Sequence, residues 1–264
     1  MKVFDKYADY YDLIYKDKDY AAEADFIDGL IKKHHPGAKT ILNLGCGTGS
    51  HDFLLAQKGY NIKGIDCSES NIKKANAKLT DVGEYKNCLD FQNGDIRTYR
   101  ANKTYDIVIS LFHVISYQIT NEDLKSVFET VKIPLNKNGL FIFDCWYGPA
   151  VLHVRPEIRI KEVENNRTRI IRIAEPEIFP NENKVHVNYR LLVVDKVTNN
   201  ITEIRETHPM RYLFKPEIDE LLFASGLKVV ECAEWMTNKS PGFDTWSIYF
   251  IATPQMDTKQ KYLR

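Results

Sequence analysis

The segment Thr40 to Lys58, TILNLGCGTGSHDFLLAQK, runs from an apolar stretch through Gly45, Gly47 and Gly49 into a helical pattern. A strand, a bare turn and a helix in immediate succession leave few folds open. Glycines serve where the main chain must turn sharply or let something approach it closely, and the amides at a helix start can then meet a ligand's polar atoms. The same alternation continues downstream. YNIKGID reads as strand, SESNIKKANAKL as helix, LDFQNGD and YDIVISLF as strands, NEDLKSVFETVKIPL as a helix with an acidic first turn, and GLFIFDCW, after Asn138 and Gly139, as a buried strand. Strands taking turns with helices specify a doubly wound parallel sheet, an α/β Rossmann-like fold covered on both faces. Ligands of such sheets sit beyond the C-terminal strand ends.

From about residue 155 to 213 the apolar period changes to two. IRIKEVE, RTRIIRIAE, KVHVNYRLLVVD and ITEIRETHPMRYL are separated by NN, FPNEN and KVTNN, which is the turn chemistry of an antiparallel β-meander. KPEIDELLFASG then reads as a helix with Pro216 in its first turn and Gly226 as its stop, and LKVVECAEW and TWSIYFIAT follow as strands. The α/β pattern resumes, so the expectation is a single domain over residues 1–264 with the meander inserted at 155–213. Residues 1–38 are expected to form a helical lid, and the tail QMDTKQKYLR to fray.

The glycine turn does not stand alone. Asp66 ends the next strand, where a carboxylate can take a ribose diol, and Asp95 ends the third, where one can accept from an adenine amino group. Each taken alone reads as a helix cap. Together with GCGTG they indicate a nucleoside. A dinucleotide loop needs a glycine at position 50, where this chain has Ser50, so NAD and FAD are disfavoured.

With these residues the chain resembles the class I S-adenosylmethionine (SAM) dependent methyltransferases, and within them the N-methyltransferases of nucleotide-linked amino sugars. ADYYDLIY, DYAAEA, CGTGSH, DCWYGP and HPMRYLF carry the likeness. The resemblance implies a sheet whose last strand is antiparallel, and SAM as cofactor. It implies that Asn43, Gly45, Cys46 and Gly47 face the amino-acid part of SAM, that Asp66 and Cys67 lie at the ribose, and that Asp95 and Ile96 frame the adenine. Ser110 at the end of the fourth strand joins this set, with Tyr11 and Tyr20 near the methyl group and carboxylate. Two positions depart from the family pattern. Asn43 stands where the motif begins with Asp or Glu, and Trp246, in TWSIYF, stands where the amino-sugar enzymes show an arginine between glycines.

Methyl transfer from a sulfonium is an in-line displacement, so alignment and exclusion of water do most of the work, and a base is needed only for a protonated acceptor. SLFHVISYQ leaves the fourth strand at the cleft and offers His113 and Tyr117. By resemblance Tyr117 corresponds to the His or Tyr that faces the acceptor. Trp146 and Tyr147 end the fifth strand, and an indole face attracts a cation. His208 and Arg211 lie where the insertion rejoins the domain, His208 as a further base and Arg211 as a contact to a substrate hydroxyl or phosphate. Tyr7, Tyr11 and Ile14 or Tyr15 share one helical face, as an aromatic staple, a lid, or both.

Lys+Arg and Asp+Glu are both 36, which gives no field for nucleic acid or an anionic membrane, and no N-P-P-Y sequence follows the fourth strand. Five scattered cysteines without a C-x-x-C pair suit a reducing compartment and no metal, and no apolar run is long enough to span a bilayer. The expectation is a cytoplasmic enzyme, possible as a homodimer through the inserted sheet, that methylates the nitrogen or oxygen of a small molecule, foremost a sugar on a nucleotide. Another polar metabolite as acceptor, and a SAM-binding protein without turnover, are the alternatives.

Overall fold

In the computed structural model, which describes residues 6–80 and 83–255, the apolar runs of the first half become β1 (Thr40–Leu44), β2 (Asn61–Asp66), β3 (Leu89–Asn93), β4 (Tyr105–Ser110) and β5 (Leu135–Trp146), all parallel. The period-two region forms β6 (Arg159–Glu164), β7 (Thr168–Phe179), β8 (Lys184–Asp195) and β9 (Ile201–Arg211), a separate antiparallel sheet in that order. The chain then returns to the first sheet with β10 (Leu227–Glu234) and β11 (Ser247–Pro254). β11 lies antiparallel between β5 and β10. The resulting order, β10-β11-β5-β4-β1-β2-β3, reverses direction between β1 and β4, the switch point at which ligands of such sheets sit. The doubly wound sheet, its antiparallel last strand and the inserted meander are as the sequence indicates.

Both faces of the central strands are buried, so apolar side chains alternate between two cores. Ile41, Ile107, Ile109, Ile142 and Ile251 point to one face and meet the apolar sides of α2 (Tyr20–His34), α3 (Ser50–Gln57) and α4 (Glu69–Lys78). Leu42, Val108, Phe141, Phe143 and Phe250 point to the other, against α5 (Asn121–Lys132) and α7 (Lys215–Ala224). A short α6 (Gly148–Val154) links β5 to the inserted sheet. Among the described residues no helix is long and apolar enough to cross a membrane.

Two local readings of the sequence change. β5 begins at Leu135, before Asn138-Gly139, with a register shift from Tyr105↔Leu135 to Ile107↔Leu140. A Cβ on Gly139 would lie 2.8 Å from the Asp106 carbonyl oxygen, so the glycine marks a close approach of β5 to β4 and not a turn before the strand. The N-terminal segment is not one continuous helix. A 3-10 turn (Tyr7–Tyr10) is followed by α1 (Tyr11–Ile14), and Tyr15 lies beyond it. Tyr7 and Ile14 are buried with Val163, Ile170, Leu191 and Ile204, so the aromatic stretch is stapled to the inserted sheet. Its first five residues, and the tail after Gln255, lie outside the described residues.

Candidate active site

Gly45, Gly47 and Gly49 all have positive φ, +84°, +57° and +80°. A Cβ on Gly45 would strike Val114 and one on Gly49 would strike Phe91, whereas one on Gly47 would meet nothing within 4 Å. The outer glycines thus let the loop pack, and the middle one leaves a concavity. α3 starts behind it with no capping side chain. Asp66 shapes this turn: its carboxylate accepts from Gly47 N–H at 2.8 Å, from Ser68 N–H at 2.9 Å and from Asn71 Nδ2 at 3.4 Å. Burial raises its pKa despite those donors. The cap of α4 is Ser68, so Asp66 holds the loop and does not cap the helix.

Asn43 is buried at the end of β1, and its Nδ2 donates to both oxygens of Asp52 on α3, at 3.1 and 2.9 Å. Its Oδ1 is buried with no hydrogen-bond partner. The carboxylate missing from position 43 therefore stands one layer back, at Asp52. Burial pushes the pKa of that acid up to about 6. Sequence reasoning passed over Asp52 because it falls inside an ordinary helical pattern.

Above the glycine loop, Thr48 Oγ1 donates to Asp12 at 2.7 Å and Lys78 pairs with Asp12 at 3.0 Å, which fastens α1 across the loop. Tyr20 stands edge-on to His51 at 5.0 Å, and the Lys18 ammonium lies 4.9 Å from the Tyr20 ring and 4.5 Å from Phe112. Glu23 accepts from His51 and Trp235 and pairs with Lys18. Tyr11 packs on Tyr15 at 4.8 Å, and burial pushes its hydroxyl pKa well up.

Across the switch point, β4 ends in two consecutive residues of left-handed backbone, Phe112 (φ 65°) and His113 (φ 63°). Such conformations are costly for side chains of this size and cluster at functional sites. They turn His113 onto Asp144, which is buried at the end of β5. The His113 N–H donates to both carboxylate oxygens, at 3.1 and 3.2 Å, and its Nδ1 lies 2.7 Å from Oδ2 without the alignment of a hydrogen bond. His113 is thus partnered by a carboxylate and not enclosed in an apolar core. Trp146 stands 6.3 Å from the His113 ring and edge-on to Trp246 at 6.0 Å.

A short 3-10 turn, Val114–Tyr117, follows and points Tyr117 at the inserted sheet. Tyr117 Oη and His208 Nδ1 are 3.0 Å apart, and His208 Nε2 and Glu206 Oε2 are 3.2 Å apart. Glu206 Oε1 accepts from Tyr7 N–H at 2.8 Å. His208 and Glu206 are buried neighbours on one face of β9, since residues two apart point the same way. Tyr117 and His208, separate candidates in the sequence, are joined here. Glu206 was missed, although the alternation E-x-H on a strand could have marked it.

Other expected positions are engaged elsewhere. Arg211 is buried and braces β9 against α5 and α7: its Nη2 donates to Asn121 Oδ1 at 2.7 Å and pairs with Glu217. Its expected place was at the acceptor, and these are the partners it has here. Arg97 takes both oxygens of Asp95, which holds the Asp95 carboxyl below the usual range, and reaches on to Asp123 at 2.8 Å. Ser110 is fully buried with its hydroxyl donated to the Leu44 carbonyl at 2.8 Å, tying β4 to β1. Ile96 is buried in the core beside β2, and Cys46 is buried beneath the loop. Cys67 is exposed next to Asp66. Tyr147 bridges to Leu213 at the junction of the two sheets.

The strand ends, the glycine loop and its acidic partner span residues 41–139, and that stretch matches the family described as a methyltransferase domain. The fold around that stretch is the class I methyltransferase fold. Over 225 residues the methyltransferase is 24% identical to dTDP-3-amino-3,4,6-trideoxy-alpha-D-glucopyranose N,N-dimethyltransferase of Streptomyces venezuelae, with 84% of this chain and 90% of the relative covered. Among solved structures, a SAM-dependent methyltransferase of Clostridium acetobutylicum superposes with a TM-score of 0.81 at 23% identity, over 95% of this chain and 98% of the other. DesVI of Streptomyces venezuelae superposes with 0.78 at 24% identity, over 96% and 100%. These two superpositions share the fold from the N-terminal segment through the inserted sheet.

The fold implies SAM as the donor, whose sulfonium would supply an electrophilic methyl group. The residues present fit it. Gly47 leaves a cradle beside the uncapped start of α3, the orphan Oδ1 of Asn43 offers an acceptor below it, and Asp66 stands at the end of β2. Among the described residues no cluster of His, Cys, Asp and Glu could hold a metal ion.

Proposed function

We propose that the methyltransferase moves the methyl group of SAM to a nitrogen or oxygen of a small molecule, a sugar carried on a nucleotide or a related activated group. The relative from Streptomyces venezuelae, and a second from Streptomyces fradiae with 24% identity, bear names of that class. The observation that carries the reading is the line Tyr117, His208, Glu206 at the cleft. Glu206 holds the proton on His208 Nε2, which leaves Nδ1 as an acceptor for the Tyr117 hydroxyl. Burial pushes the Tyr117 phenol well above its ordinary pKa, so it serves as a neutral hydroxyl. The acceptor's N–H or O–H proton passes to Tyr117 Oη while the hydroxyl proton passes to His208 Nδ1, and the positive charge lost by the sulfonium reappears as an imidazolium beside Glu206.

Asn43, Gly47 and Asp66 would bind the donor, and Tyr11 and Tyr20 would cover it. Trp146 and Trp246 would present ring faces to the acceptor. His113 on Asp144 is the second base within the same cleft. Labelled SAM offered with a panel of nucleotide-linked amino and neutral sugars, with products identified by mass spectrometry, tests the assignment. Transfer to at least one of them is expected. SAM binding without transfer to any sugar or polar metabolite would leave a binding protein in its place.

A further inference from the structure

The inserted sheet carries a pair of like charges where sheets normally avoid them. β6 and β7 run antiparallel with Lys161 directly opposite Arg172. Both approach the same ring: the Lys161 ammonium lies 5.9 Å from the centre of Tyr15, and so does the Arg172 guanidinium carbon, which also lies 5.5 Å from Tyr189. Like charges directly opposite in a ladder are destabilising. Nearby acids do not relieve them, because Glu162 is paired with Arg169 and Glu164 with Lys196. Among the described residues neither Lys161 nor Arg172 has a carboxylate within ion-pairing distance. Arg172 Nη1 reaches the Tyr15 hydroxyl at 3.4 Å, the guanidinium also meets the Tyr7 hydroxyl, and its Nε is buried without a partner, so its neighbours are neutral phenols.

The place of this pair connects it to the cleft. Tyr15 stands edge-on to Phe112 at 5.1 Å, at the strained end of β4, and Tyr189 stands edge-on to His208 at 4.8 Å. The Tyr189 ring therefore stands between the Arg172 guanidinium and His208, and the Tyr15 ring stands between both cations and Phe112. A half-buried guanidinium and an ammonium with no anion between them form the donor set for a tetrahedral or planar oxyanion. We propose that Lys161 and Arg172 are an anion subsite that holds a phosphate or carboxylate group of the acceptor. This rests on the methyl-transfer reading and gives it a substrate class: the acceptor is negatively charged.

Calorimetry of the full chain with thymidine 5′-diphosphate, and separately with glucuronate, tests the subsite without turnover. The wild type should bind at least one of these at a single site, the first if the group is a phosphate and the second if it is a carboxylate. Arg172→Gln should weaken that binding at least tenfold and Lys161→Gln several-fold, while the melting temperature of each variant stays level or rises as the repulsion is relieved. Arg172→Lys, which keeps the charge and loses the fork, should fall between. Two anions that fail to bind the wild type, or variants that bind as the wild type does, overturn the proposal. So does a fall in melting temperature with binding intact, which would make the pair structural. A protein that binds the anion at these residues yet methylates nothing would instead defeat the methyl-transfer reading.

Discussion

The two sides of the cleft are made from different reaches of the chain. On the donor side Asn43 bonds a carboxylate nine residues on, and Gly47 bonds one 19 residues on, so one strand-turn-helix unit and the next strand end complete the site. On the acceptor side Tyr117 meets a histidine 91 residues away, and Glu206 meets the backbone of Tyr7 across 199 residues. The donor side is mostly backbone geometry enforced by glycine. The acceptor side is side-chain chemistry supplied by an inserted sheet and an N-terminal staple. On the proposed reading the first can serve many acceptors unchanged, while the second sets specificity.

The largest effect should follow from filling the donor loop. Gly45→Ala places a Cβ 2.6 Å from both γ carbons of Val114 at a φ of +84°. Backbone strain and overpacking together predict a loss of about 2 to 5 kcal/mol in stability, read by urea unfolding, with SAM affinity falling in parallel. Stability lost with SAM affinity kept would uncouple the loop from the donor.

Asp52 gives the next effect, and its sign is opposite. Its pKa is raised to about 6, so between the ordinary carboxylate range and about pH 6 the folded state holds a proton that the unfolded state has lost. Stability therefore falls as pH rises through that window, by at most about 3 kcal/mol. Asp52→Asn should be more stable than the wild type at pH 8 and no more stable at pH 3.5. Equal stability at pH 8 would mean that the Asn43 bonds outweigh the burial of the charge.

A smaller loss is expected at Asp66. Asp66→Ala removes the acceptor for Gly47 and Ser68 and the group proposed to meet the ribose. The expected loss in SAM affinity is on the order of 2 kcal/mol, about thirtyfold, measured by calorimetry. A folded variant with unchanged affinity would reduce Asp66 to a brace of the loop.

The same contrast in range explains what could be read from the sequence. The doubly wound sheet, the meander and the glycine loop were legible because their signals are local: period, turn residues and glycine spacing. The start of β5 was not, because Asn138-Gly139 looks like a turn and only the approach of Asp106 makes it a bulge. The bracing by Arg211 was not legible, since a lone arginine on a strand does not announce Glu217 and Asn121 as its partners. Tyr117 and His208 were legible singly and their union was not, and the E-x-H spacing that marks Glu206 gains meaning only once β9 is set against the turn after β4. Lys161 and Arg172 look like ordinary surface cations until the β6–β7 register places them face to face.

The central claim is that turnover depends on the inserted sheet through Tyr117, while the donor is bound without it. Tyr117→Phe removes one oxygen and no packing, so SAM affinity and turnover measured on the same variant, with an acceptor found in the panel, test that claim most directly. SAM affinity should be unchanged and kcat should fall by roughly ten- to a thousandfold, the span from one lost orienting bond to a lost general base. Wild-type turnover in the Phe variant, or a SAM affinity that falls together with kcat, would contradict it.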